Sequence, residues 1–127
     1  MVLVDTDVLI RHLRGYAQAT RRLDELGTLT LSAGSYLEIL QGMRNKAELV
    51  AVKKMLQLRA ATLLPVSEAI TQRAIDLMEA LSLSHGLQMG DAIIAATALE
   101  RGMRMLTGNV KHFGAVQGLE LEAFVPE

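Results

Sequence analysis

The chain has 127 residues, half of them hydrophobic, and thirteen Lys and Arg against fourteen Asp and Glu give a formal net charge of −1. That length suits one domain over residues 1–127 with a core of its own. The near-neutral balance gives no support for a strongly cationic nucleic-acid groove, although the basic side chains are numerous enough to form local patches. The absence of Cys excludes disulfides, thiolate catalysis and thiolate-ligated metals. With two Phe, two Tyr and no Trp, the core is expected to be built from Leu, Ile, Val, Ala and Met. No apolar run approaches the ~18 residues of a membrane span, and acids interrupt the apolar N-terminus, so no signal peptide is expected there. A soluble cytoplasmic protein without membrane contact is the default expectation.

The chain opens on VLVDTDVLI, residues 2–10. VLV reads as a short buried strand, and Asp5-Thr6-Asp7 offers N-cap chemistry for a helix from Val8 to Arg14 closed by Gly15. A second helix is predicted from Ala17 to Leu26, stopping at Gly27. TLTLS (28–32) alternates like a strand, and Ser32 caps a helix that begins near Ala33 and contains SYLEILQGM. From Lys46 to Arg59, Leu49, Val52, Met55 and Leu56 fall at helical spacing beside Lys53 and Lys54, the pattern of an amphipathic surface helix.

ATLLPV (61–66) reads as a strand ending at Pro65. Ser67-Glu68 opens a long helix with Ile70, Ala74, Leu77, Met78 and Leu81 on one face. After His85-Gly86, GDAIIAATALERG predicts another helix, ended by Gly102. MRMLTGN is a strand followed by a turn, and a weak strand is expected around Leu119–Leu121. Strands alternating with helices predict an α/β domain with a mostly parallel central sheet flanked by helices. In such sheets ligands bind outside the carboxyl ends of the strands, where Asp5 would lie.

The acidic residues carry the chemistry, and each has a plainer reading beside the functional one. Asp5 and Asp7 either cap the helix that follows or stand at the functional edge of the sheet. Glu38 lies among apolar neighbours on a narrow stripe with Ser35 and Gly42, which suits a solvated stripe as well as a site residue. Asp91 precedes AIIAATAL, apolar almost all round, so its helix start is expected to be partly buried. The macrodipole there favours a carboxylate, and capping is the competing account. Thr107 and Asn109 follow the last clear strand; turn chemistry explains TGN, but a parallel strand there would bring both to the edge that holds Asp5. The three histidines have no metal-binding spacing and are expected to be solvated. The chain has no GxSxG and no GxxxxGK[ST], and clusters of Asp and Glu oxygens suit hard cations such as Mg²⁺ or Mn²⁺.

VLVDTDVLI, SYLEILQGM, GDAIIAATALERG and LTGNVKHF, in this order, resemble the successive motifs of PIN-domain ribonucleases, and most closely the VapC toxins of toxin–antitoxin pairs. The resemblance implies a PIN-like three-layer fold and a Mg²⁺- or Mn²⁺-dependent endoribonuclease that hydrolyses RNA phosphodiesters with metal-activated water. Asp5, Glu38 and Asp91 match the acids that hold metal in that family. Asn109 stands where the family often has Asp; its amide adds no negative charge, which weighs against a tightly held second metal. Asp7 is expected to support the site, and Thr6 and Thr107 to orient water or a phosphate. An RNA substrate, a homodimer and a cognate antitoxin are further implications of the resemblance alone.

Two other readings remain at this point. A PIN-like domain that binds RNA or a partner without efficient cutting has Asn109 in its favour. A phospho-receiver signalling module also gathers acids and Mg²⁺ at a sheet edge, and Lys111 fits its late lysine. Such a module, however, needs an Asp ending a middle strand, and neither TLTLS nor TLLPV ends in one.

Overall fold

Apolar strand triplets and amphipathic helices alternate through the computed structural model, which describes residues 1–125. In chain order the elements are β1 (Val2–Val4), α1 (Thr6–Leu13), α2 (Ala17–Leu26), β2 (Thr30–Ser32), α3 (Ala33–Gln41) and α4 (Lys46–Leu58). They continue with β3 (Thr62–Leu64), α5 (Glu68–His85), α6 (Met89–Arg101), β4 (Arg104–Thr107), α7 (Val110–Phe113) and β5 (Leu121–Ala123). Every strand pairing is parallel: β1 with β4, β4 with β5, and β2 with β3. These pairings make a three-stranded sheet, β1-β4-β5, and a two-stranded one, β2-β3; β2 lies alongside β1, so the two continue each other in the order β3-β2-β1-β4-β5.

Side-chain alternation along the strands gives two of the three core clusters, one on each face of the sheet; the third lies between α5 and α6, around Ile70, Ala74, Ala92 and Ala96. Val4 and Leu106 face one way, onto Val8 and Leu9 of α1, Ala19 and Leu23 of α2, and Val52 and Met55 of α4. Leu3 and Met105 face the other way, onto Ile94, Ala95 and Ala98 of α6 and onto Phe113. Helices thus cover both faces of a parallel sheet, the expected three-layer arrangement.

Local chemistry sets the element boundaries. Asp5, Ser32, Asn45 and Ser67 cap α1, α3, α4 and α5 with side-chain oxygens, and Gly86 and Gly102 end α5 and α6 in left-handed backbone. Three details differ from the sequence reading. α1 begins at Thr6 rather than Val8, because Asp5 itself is the N-cap. Val110–Phe113 forms a short helix where only a turn was expected, anchored by the buried Phe113. The last strand lies two residues later than predicted, where Leu121 pairs with Met105.

Candidate active site

β1 and β4 run parallel with Val4 opposite Leu106, so the next residues, Asp5 and Thr107, emerge together at the carboxyl edge. The Asp5 amide donates to the Leu106 carbonyl at 2.9 Å, continuing the strand ladder by one step. The Thr107 hydroxyl donates to Asp5 Oδ2 at 2.7 Å, and the Thr6 amide donates to Asp5 Oδ1 at 2.8 Å. Asp5 is therefore both the cap of α1 and an acid at the sheet edge, so the two readings describe one placement. It is also buried, with 6% of its surface exposed. Burial first, and the neighbouring Asp7 charge second, push its carboxyl up to about 7; the bonds from Thr107 and Thr6 pull it down, and Glu38 adds a last upward push.

Glu38 reaches this edge because α3 and α6 cross at close range. A methyl group at Gly34 of α3 would lie 2.9 Å from Cγ2 of Ile93, and one at Gly90 of α6 would lie 2.8 Å from Cδ of Glu38. The missing side chain at Gly90 is thus the space that the Glu38 carboxylate occupies. The Thr6 hydroxyl donates to Glu38 Oε1 at 2.7 Å, so Glu38 is held in the cleft and is not part of a solvated stripe.

Asp91 stands at the start of α6, where its Oδ2 accepts from the Gln88 amide at 3.2 Å. The same oxygen accepts from His112 Nε2 at 2.6 Å. Capping and site placement again coexist. The histidines are not all solvated as expected: His112 bonds Asp91, and the half-buried His12 bonds the Thr20 hydroxyl at 2.7 Å. His112 was missed because its partner lies on another helix; an Asn followed by VKHF, with Val110 and Phe113 three apart, was the signal for the helical turn that carries it.

Asp7 turns to the loop after β4, where the Gly108 amide donates to its Oδ2 at 2.9 Å. Its Oδ1 is buried with no hydrogen-bond partner. The Asn109 amide N–H donates to the Thr107 hydroxyl at 2.9 Å. Asp5, Thr6, Asp7, Glu38, Asp91 and Asn109 line one cleft of about 480 Å³, with Thr107 buried behind Asp5. All seven residues singled out in the sequence therefore meet at one edge of the sheet. A second groove of about 380 Å³ continues from this cleft through Ile10, Glu38 and Gly42 to Arg14, Arg44 and Val52; Arg14 and Arg44 belong to the basic residues near the motifs that the sequence offers as flanks of the acidic centre.

The donor set suits a hard divalent cation, since it consists of carboxylate and amide oxygens with no thiolate. Among the described residues, no three acidic or imidazole side chains converge into a ready ligand set. Crowded carboxylates repel one another, and each of these accepts from a local donor. The unpartnered Asp7 Oδ1 marks the deficit: a buried carboxylate oxygen is costly until a donor or cation reaches it. The oxygen-only chemistry of the lining and the orphaned Asp7 Oδ1 fit a hard divalent ion.

Residues 2–118 match the PIN domain, and the chain belongs to that family. It is similar to Ribonuclease VapC10 of Mycobacterium tuberculosis, at 39% identity over 132 residues, covering 99% of this chain and 96% of the relative. Its fold is similar to that of VapBC2 from Rickettsia felis bound to a DNA fragment from their promoter, with TM-score 0.83, 18% identity and coverage of 98% of this chain and 99% of that one. A toxin–antitoxin complex from Klebsiella pneumoniae superimposes with TM-score 0.75 and 24% identity, covering 100% of this chain and 98% of that one.

Proposed function

We propose that the protein is a VapC-type endoribonuclease that hydrolyses RNA phosphodiesters with the help of Mg²⁺ or Mn²⁺. The observation that carries this reading is the cleft itself, in which Asp5, Asp7, Glu38 and Asp91 share one edge of a parallel sheet. Among the described residues, no Lys or Arg lines that cleft. An acidic pocket of this kind repels a phosphodiester unless a cation is held between acid and phosphate.

In this reading Asp5, Glu38 and Asp91 hold the ion. When bound, such an ion polarises the phosphoryl group and lowers the pKa of a water. The chain supplies the positions. Thr6 and Thr107 fix the carboxylates of Glu38 and Asp5, and Asp7 braces the loop at Gly108. No side chain forms a covalent intermediate. The adjoining groove, with Arg14 and Arg44 beside apolar Ile10 and Val52, is assigned to the RNA flanking the cut or to an antitoxin segment that excludes it. A homodimer is part of the same proposal. Among the described residues no helix is long and apolar enough to cross a membrane, and we place the protein in the cytoplasm with its RNA.

The experiment is metal add-back. Protein stripped with EDTA is incubated with single-stranded RNA, then supplied with Mg²⁺ or Mn²⁺. Cleavage that appears only after metal addition is the expected result. Equal cleavage in EDTA overturns the metal mechanism, and RNA bound but uncut with either metal favours the non-cutting PIN-like domain. A phospho-receiver finds no support in the strands, since β2 ends at Ser32 and β3 at Leu64.

A further inference from the structure

His112 lies outside the acidic set, yet it makes the shorter of the two hydrogen bonds to Asp91. Both of those bonds fall on one carboxylate oxygen: the Gln88 amide and the imidazole Nε2 meet at Oδ2. Oδ1 takes neither, and Asp91 lines the cleft together with Asp5 and Glu38. The imidazole is itself fixed. Its ring packs edge-on against Phe113, with centroids 5.4 Å apart, and Phe113 is buried at 1% exposure. The His112 side chain is 26% exposed and that of Asp91 17%, so bulk water competes only partly for this bond.

We infer that His112 is a positioning residue, which pins Asp91 through Oδ2 and so presents the other oxygen to a divalent cation in the cleft. The inference rests on the metal-dependent reading above. Its physical basis is orientation. A carboxylate held by one oxygen loses its freedom to rotate away, so less order has to be created when the cation arrives. The α6 amide at Gln88 restrains the same oxygen from the helix side, and the α7 imidazole restrains it from the loop side. The arrangement also ties α7, after β4, to the start of α6 through this bond.

Mn²⁺ titration of the EDTA-stripped full chain, followed by electron paramagnetic resonance, tests this with two complementary variants. His112→Phe keeps a ring to pack on Phe113 and removes the donor; His112→Gln keeps a donor of similar reach and removes the ring. The expected result is Mn²⁺ binding weakened ~10–100-fold in the Phe variant, the range for losing a partner that orients a ligand. The Gln variant should bind within a few fold of wild type. Circular dichroism of each stripped variant reports folding separately from the metal. Equal weakening in both variants would assign His112 to packing and overturn the inference. Unchanged or tighter binding in the Phe variant would overturn it as well. Wild-type protein that binds no Mn²⁺ at all would remove the metal reading first, and this inference with it.

Discussion

Thr107 and Asp5, 102 positions apart, share a 2.7 Å hydrogen bond in which the threonine hydroxyl donates to the Oδ2 atom of the carboxylate. Both residues are buried, and the bond exists because β1 and β4 pair in parallel with Val4 opposite Leu106. Thr107→Val keeps the shape and removes the donor, leaving a buried carboxylate oxygen short of a partner. Such a loss costs about 1–3 kcal/mol, so the melting temperature should fall and cleavage with it. Thr107→Ser should retain most of both. A valine variant with wild-type cleavage would detach this bond from the site.

The Asp5 carboxyl predicts an unusual pH dependence for the metal-free protein. Burial and the Asp7 charge raise it from 3.8 to about 7 in the folded chain, with Glu38 acting in the same direction and Thr107 and Thr6 against it. Between those values the folded state binds more protons than the unfolded one, so this group's contribution to stability falls as pH rises. The contribution is fully present below the unfolded pKa and is lost as pH passes through about 7. In EDTA, denaturant unfolding should therefore show lower stability at pH 8 than at pH 5, by on the order of a few kcal/mol. Asp5→Asn should flatten that difference. Stability that rises over the same interval in EDTA would contradict the assigned environment of Asp5.

Gly90 separates activity from stability. A methyl group there would sit 2.8 Å from Glu38 Cδ and overlap the carboxylate beyond it, so the flexible Glu38 side chain must move. Alanine is also the better helix former, by less here than the interior value of about 1 kcal/mol because Gly90 is the second residue of α6. Gly90→Ala should leave the melting temperature unchanged or raised while cleavage drops. Normal cleavage would show that the position of Glu38 is not critical.

Much of this placement was legible in the sequence, for a physical reason. Asp5, Asp91 and Thr107 each end a strand or open a helix whose apolar pattern is strong, so their position follows from the elements that carry them. Glu38 was harder to place, because what brings it into the cleft is the space at Gly90 on another helix. His112 escaped notice for the same kind of reason: its partner is 21 positions away and the pair follows no helical or strand spacing. The groove along Arg14 and Arg44 depends on how α1, α3 and α4 pack, and local periodicity does not encode it.

Asn109 sets the expected number of ions. It lines the cleft where an aspartate would add one negative charge. At an effective dielectric near 20, a unit charge pair 4 Å apart is worth about 4 kcal/mol before dehydration costs, and a divalent ion doubles the gross attraction. Without RNA the wild type should bind one Mn²⁺ well and a second weakly, and Asn109→Asp should tighten the second. Calorimetric titration that finds two equally tight sites in the wild type would refute this charge argument.

The central claim is that Asp5, Glu38 and Asp91 act together on RNA through a bound metal. Its most direct test is single-turnover cleavage of single-stranded RNA at saturating Mg²⁺ by Asp5→Asn, Glu38→Gln and Asp91→Asn. Each substitution keeps the side-chain shape and removes one charge from a crowded acidic cleft, so mutual repulsion should fall and melting temperatures should stay near or above wild type. Cleavage should drop to background in all three. Folded variants that cut RNA at the wild-type rate would contradict the account.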